Sequence, residues 1–258
     1  MKPIIIVFTF LLLTGCVNQT EYIEVKLQNQ TNNQPQNQNL ELESKLNLKS
    51  DEVIDKVLRV EIPTKLDLMA PFISQAPLRN WDMPYQEACE EASMLSVVKH
   101  FNGGDVASAV INHELLQLID WERANGYNID VNAAEMVQIL NDYFGLKSEL
   151  VAEVTIDRIK YELAHGHLII IPTAGRMLGN PYFTGAGPIY HVLVIRGYDS
   201  KSFITNDVGT NTKGEKFKYK YQTIIDSVHD WDHNLAEDEM TDEEMKTGRK
   251  IMIIVGQD

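Results

Sequence analysis

Cysteine is nearly absent from this chain of 258 residues, occurring only as Cys16 and Cys89. Positive charge is sparse as well: 23 Lys and Arg stand against 37 Asp and Glu, a formal net charge of −14. That balance argues against nucleic acid or anionic lipid headgroups as partners. Long apolar runs are missing beyond the N-terminus, so no later segment approaches the length of a membrane span. Internal repeats are missing too. What remains is enough chain for one good-sized domain and a tether.

The N-terminus is where the apolar residues run together. Lys2 precedes Ile4 to Leu13, a run broken only by Thr9 and too short for a stable spanning helix. It ends in Leu13-Thr14-Gly15-Cys16, which is similar to a bacterial lipobox. Residues 1–15 are then a lipoprotein signal peptide and Cys16 the lipid-bearing first residue of the mature chain. An ordinary signal peptide or a short uncleaved anchor is the alternative. Residues 28–39 are Asn or Gln at ten of twelve positions, a composition with nothing to bury. The expected organisation is a tether over 16–59 and a folded domain over 60–258. The domain would be held at the extracytoplasmic face of the membrane by its lipid alone.

With Cys16 taken by lipid, Cys89 is a single thiol in an exported chain and cannot be an internal disulfide staple. On arithmetic alone, a reactive and a structural cysteine are equally good readings.

Patterning places the elements. Leu66 to Met69 is a candidate first strand, and a short helix fits Asp51 to Leu58. Ala88, Ala92, Leu95, Val98 and Phe101 form one helical stripe over 87–101, stopped by Gly103-Gly104. Further helices fit 106–125, 132–145 (Asn132 and Glu135 at capping-box spacing) and 155–164. Strands follow at 168–172, 190–197, 202–208, 217–221 and 251–255. Helices gather in the first half and antiparallel strands in the second, which predicts an α+β domain.

Cys89 falls in the first turn of the first strong helix, where unpaired N–H groups favour a thiolate. Glu90 and Glu91 oppose it. The stretch Ser74-Gln75-Ala76-Pro77, followed by Met83-Pro84-Tyr85-Gln86-Glu87-Ala88-Cys89-Glu90-Glu91-Ala92-Ser93, resembles the bacteriocin-processing cysteine peptidases and their free-standing relatives. That resemblance implies a papain-like fold over roughly 63–255, Cys89 as nucleophile and Gln75 as an oxyanion donor, with Gln86 a nearby competitor. The family usually carries glycine directly after the cysteine; here Glu90 takes that place.

A thiol nucleophile needs an imidazole held by a third group. His191 opens the apolar strand 192–195 after a loop rich in glycine and proline, and the resemblance puts the catalytic histidine there, with Asp207 a hairpin later. If the turn centres on Ser200, Leu193 lies opposite Asp207 and Gly209 opposite His191, so the two side chains share a face. A one-residue slip would separate them and make Asn206 the partner.

Other constellations carry less. His229 and His233 lack the glutamate of a zinc-protease motif, and their acidic neighbourhood through Glu244 reads as a solvated loop. His165 and His167 suit helix-end carbonyls. The loop 175–188 reads as a flexible segment beside His191, a candidate lid over the cleft. The expectation is a monomeric cysteine peptidase acting on peptides or proteins, with a Cys89–His191–Asp207 triad and neither metal nor organic cofactor. The alternatives are a peptidoglycan amidase or endopeptidase, and a catalytically silent binding lipoprotein of the same fold.

Overall fold

A computed structural model describes residues 62–236 and 240–256. The expected signal peptide and tether, Cys16, and the helix expected near Asp51 lie outside the described residues. Among those described, no helix is long and apolar enough to cross a membrane.

The framework is an antiparallel sheet. Its strands are β1 (Leu66–Asp67), β2 (Ser148–Val151), β3 (Leu168–Ala174), β4 (Tyr190–Tyr198), β5 (Ser202–Asn206), β6 (Phe217–Lys220) and β7 (Met252–Val255). Their order is β2-β7-β3-β4-β5-β6, with β1 paired to the far end of β4. β3 and β4 are buried along their whole length because both faces are covered. Leu168, Ile170, Val192 and Val194 point into one core, shared with helices α1 (Cys89–Asn102), α2 (Ser108–Ala124) and α3 (Ala133–Asp142). Ile169, Ile171, Leu193 and Ile195 point into a second core under α4 (Ile156–Ala164) and α5 (Tyr221–Ser227). A sheet covered on both faces explains the uninterrupted apolar runs at 168–171 and 192–195.

The helix around Cys89 differs from expectation. Its sequence predicts one apolar stripe, yet every residue from Cys89 to Val98 is buried, including Glu90, Glu91, Ser93 and Ser96. The cause is position: α1 packs against β4 and also against α2 and α3. Its hydroxyls find backbone partners there, Ser93 Oγ donating to Val192 O at 3.2 Å and Ser96 Oγ to Pro71 O at 2.6 Å. At its end Gly103 takes φ +72° and its N–H donates to Lys99 O.

The capping box before α3 forms as expected, Asn132 accepting from Glu135 N and Glu135 Oε2 accepting from Asn132 N. Besides two short 3-10 helices (Tyr85–Glu87 and Gly175–Leu178), three elements among the described residues are unforeseen: β2, α5 and a short α6 (Asp242–Met245). Residues 221–227 contain Thr223, Ile224 and Ile225, which locally favour a strand. Burial of Ile224 in the second core goes with a helix instead. α6 opens on its own capping box, Thr241 with Glu244, in a stretch read as a solvated loop.

The β4–β5 hairpin decides the site. Near its turn Tyr198 faces Phe203 and Gly197 faces Ile204, half a residue away from a turn centred on Ser200. A register shift between Ile195 and Gly197 then brings Ile195 opposite Thr205 and Val194 opposite Asn206. From there on the pairing is the one expected, because the bulge cancels the displacement at the turn. Arg196, at the bulge, is buried and donates to Asp67 Oδ1 at 2.7 Å and to Ala70 O at 2.5 Å.

Candidate active site

The first turn of α1 presents Cys89 and the start of β4 presents His191. Both border one cavity of about 500 Å³, together with Gln75, Asp130, Phe183 and Gly209. β4 runs past the end of β5, so Val192 N–H has no strand partner on that side. It points at the sulfur instead, donating to Cys89 Sγ at 3.4 Å. Sheet and helix are thereby joined at Val192 and Cys89.

His191 Nε2 lies 2.9 Å from Asp207 Oδ1, and both side chains are buried. A neutral imidazole facing a carboxylate carries its proton on that nitrogen, which leaves Nδ1 as the acceptor. Asp207 is held from three more directions. Gly209 N–H donates to Oδ1 at 3.2 Å, while Asn180 Nδ2 and Tyr219 Oη donate to Oδ2 at 2.7 and 2.5 Å. Burial works against its ionisation, but the His191 charge and these donors outweigh it and hold the carboxyl below its ordinary range. Tyr219 shows the reciprocal effect, its phenol pushed up by burial and by the Asp207 charge. Phe183 packs its ring edge-on to the imidazole, centroids 5.2 Å apart. Gly209 leaves room for it, since a Cβ there would stand 2.8 Å from His191 Cε1.

Asn206 faces elsewhere. Its amide donates to the carbonyls of Ala70 and Pro71 and to Ser96 Oγ, and its oxygen accepts from Arg196. Asp207, not Asn206, is the partner of His191.

The thiol side has the opposite character. Cys89 Sγ donates to Glu90 Oε2 at 3.0 Å, and Glu90 Oε1 accepts from Val131 N–H at 3.3 Å. Burial, the Glu90 charge and this hydrogen bond all raise the thiol above its ordinary range, with Val192 N–H opposing. Glu90 is itself raised by burial and by Glu91 and Asp130. Behind it Glu91 and Glu122 form a hydrogen-bonded carboxyl pair between α1 and α2. Burial pushes Glu91 up to about 7, and burial with the Glu91 charge pushes Glu122 up to about 11.

Gln75 borders the cavity, but both amide hydrogens are engaged. Nε2 donates at 3.0 Å to the carbonyls of Tyr85 and Gln86, and the buried Oε1 has no hydrogen-bond partner. Gln86 also borders the cavity, with its amide on Met83 Sδ. Cys89 N–H, in the first helical turn, belongs to the donors that an α-helix leaves without an internal partner. The loop 175–188 forms one wall through Tyr182, Phe183, Thr184 and Pro188.

Four of the other histidines have local roles. His165 Nδ1 contacts the Tyr161 carbonyl at the end of α4, as expected, while His167 pairs with Glu162 at 2.7 Å. His229 contacts Gly248 O and His233 contacts Glu135, so the two face different neighbours.

Sequence reasoning brings Cys89, Gln75, His191 and Asp207 to one site, and it misses Asn180, Tyr219 and the Glu90–thiol contact. Asn180 lies in an irregular loop and gives no signal. Tyr219 does, since the alternation of Phe217, Lys218 and Tyr219 puts every second residue on one face of β6.

Helices packed on an antiparallel sheet, with a helix-opening cysteine beside a strand-opening histidine, define a papain-like α+β fold of the cysteine-peptidase class. The model of the Peptidase_C39 like family matches residues 68–234, and the chain belongs to that family of cysteine-type peptidases. Among solved structures it is similar to a protein named as a C39-like peptidase from Bacillus anthracis. That likeness has 15% identity and a TM-score of 0.47, covering 76% of this chain and 99% of the other. It is also similar to xylellain, a cysteine protease from Xylella fastidiosa, at 11% identity and a TM-score of 0.43, covering 76% and 87%. No curated protein matches the sequence.

Proposed function

We propose that the chain is a lipid-anchored, extracytoplasmic peptidase that hydrolyses peptide bonds through Cys89, His191 and Asp207. The observation that carries this reading is the His191 Nε2–Asp207 Oδ1 contact of 2.9 Å at the edge of the cavity that Cys89 borders. The N-terminal apolar run ending at Cys16 supports the anchor, and the Asn/Gln-rich tether supports a domain held off the membrane.

The thiol proton passes to His191 Nδ1 and the sulfur attacks the substrate carbonyl carbon. Asp207 keeps the proton on Nε2 and stabilises the imidazolium that forms. The tetrahedral oxyanion accepts from Cys89 N–H. It accepts from Gln75 as well once one amide hydrogen leaves the carbonyl of Tyr85 or Gln86. Imidazolium then protonates the leaving amine, and the C–N bond breaks to a thioester. Water gives a proton to His191 and attacks the thioester, and the returning proton restores the thiol. Neither a metal nor an organic cofactor takes part in these steps.

The test is alkylation of the full-length protein by a thiol-directed probe over pH 4 to 9, mapped to Cys89, in wild type and His191→Ala. Labelling that depends on His191 supports the triad. Labelling indifferent to His191, or absent until denaturation, would place the binding-lipoprotein reading first.

A further inference from the structure

The residue that follows Cys89 is a glutamate buried to zero exposure, and its carboxylate oxygen accepts a hydrogen bond from the thiol at 3.0 Å. Its other oxygen is tied to Val131 N–H in the loop leading into α3, so the side chain is fixed at both ends. No such contact joins the thiol to His191, whose Nε2 is engaged by Asp207. In the resting geometry the nucleophile is therefore bonded to the wrong base. A carboxylate that accepts from S–H stabilises the neutral thiol and opposes the thiolate.

We propose that Glu90 is a latch on the nucleophile: it holds Cys89 as a neutral thiol, and productive substrate binding must turn the sulfur from Glu90 to His191. This rests on Cys89 and His191 being the catalytic pair. The step is a rotation about the Cys89 Cα–Cβ bond. The S–H···O bond to Glu90 breaks, the thiol proton bonds to His191 Nδ1, and the sulfur is left with the electron pair that attacks. No further reagent enters. Glu90 is a positioning residue, since it touches the nucleophile in the resting state and leaves it before bond formation.

The surroundings keep the latch closed. Glu90 is faced by Cys89 and Glu91 from its own helix, by Glu122 of α2, by Asp130 of the loop before α3 and by Tyr190 of β4. Asp230 adds its charge at Tyr190, and His191 borders the same cavity. The raised thiol agrees with this arrangement. An enzyme with such a latch reacts slowly with stray electrophiles until a peptide fills the cavity, and the slow reaction still runs through the molecules whose sulfur has turned to His191.

Glu90→Gln inverts the contact without changing its shape. Val131 N–H retains the amide oxygen on its side, so the amide nitrogen faces the sulfur and donates to the thiolate. In the alkylation experiment on the full-length protein, Glu90→Gln should label Cys89 at least tenfold faster at pH 7. Its rate midpoint should lie at least one pH unit below wild type, with the dependence on His191 retained. An unchanged midpoint with His191 dependence intact would overturn the latch and leave the triad standing. Slower labelling would overturn it too, showing that Glu90 assists the thiolate. Labelling indifferent to His191 in both proteins would overturn the latch together with the catalytic pair. If the variant does not fold, the resting wild type answers instead through the Cys89 S–H infrared stretch, isolated by difference against Cys89→Ser. A red-shifted, broadened band supports the carboxylate contact, and an unperturbed band overturns it.

Discussion

Two carboxylates stand behind Cys89 and His191, Asp207 on the sheet side and Glu90 on the helix side, and both are fully buried. Asp207 accepts from His191, Gly209, Asn180 and Tyr219 and is held charged below its ordinary range. Glu90 has Val131 N–H and a thiol, with Glu91 and Asp130 adding like charge, and it is raised. Burial opposes the charge of both, so what separates them is the number of donors and the charge of their neighbours. On the Asp207 side the negative charge is favoured by four donors; on the Glu90 side only Val131 N–H and the thiol donate, against burial and like charge.

The largest effect is expected where the donor-rich side is broken. Asp207→Asn keeps the shape but puts an NH₂ group among four donors. Whichever way the amide turns, it faces His191 and Gly209 or Asn180 and Tyr219 with the wrong sign. Loss of the proper imidazole tautomer should lower peptide hydrolysis by roughly 10³–10⁴-fold, with KM little affected. A loss below tenfold would mean that His191 is held by something other than Asp207.

Tyr219→Phe removes one donor and keeps the rest. The expected loss is about 1.5–3 kcal/mol of stability at neutral pH, the range for bonds to charged groups. The sign with pH follows from the direction of the Asp207 shift. A carboxyl lowered in the folded state contributes stability above its unfolded pKa, and that stability is lost as pH falls through the folded value. With fewer donors the folded value rises, so acid unfolding and the acid limb of activity should both move to higher pH. An acid limb that stays in place would show that Tyr219 does not tune Asp207.

Much of this site is legible in the sequence because hairpin geometry is strict. Placing His191 and Asp207 on one face needs only the strand period and the turn position. The turn position is displaced by half a residue, and the bulge next to Arg196 restores the pairing beyond it. Nothing in the residues 195–205 announces that bulge, so the expectation is met through two compensating departures. The helix side is less legible. The stretch from Ala92 to Val98 carries no charge on any face, a mark of burial all round, but the acidic pair before it reads as an ordinary helix N-terminus. Only the packing of α2 and of the loop around Val131 turns Glu90 and Glu91 inward. Tertiary contacts of that range have no local signature.

The smallest effect tests whether the acid-rich side can be given what Asp207 has. Glu122 carries a raised carboxyl, so its protonated form is retained on folding while the unfolded chain ionises near 4.5. Below that pH both states are protonated and the contribution to stability is complete. As pH climbs toward the folded value of about 11, the unfolded state loses its proton first and stability falls. Glu122→Gln removes this slope, because an amide does not ionise, and it supplies Glu91 with a permanent donor. The variant should match wild type near pH 4.5 and exceed it at pH 8. The gain in Tm should grow steadily with pH across that interval, at roughly 2–4 °C per kcal/mol for a domain of this size. Two melting curves running parallel from pH 4.5 to 8 would mean that Glu91 and Glu122 do not share a proton. In that case the helix side differs from Asp207 in its donors alone and not in its accumulated charge.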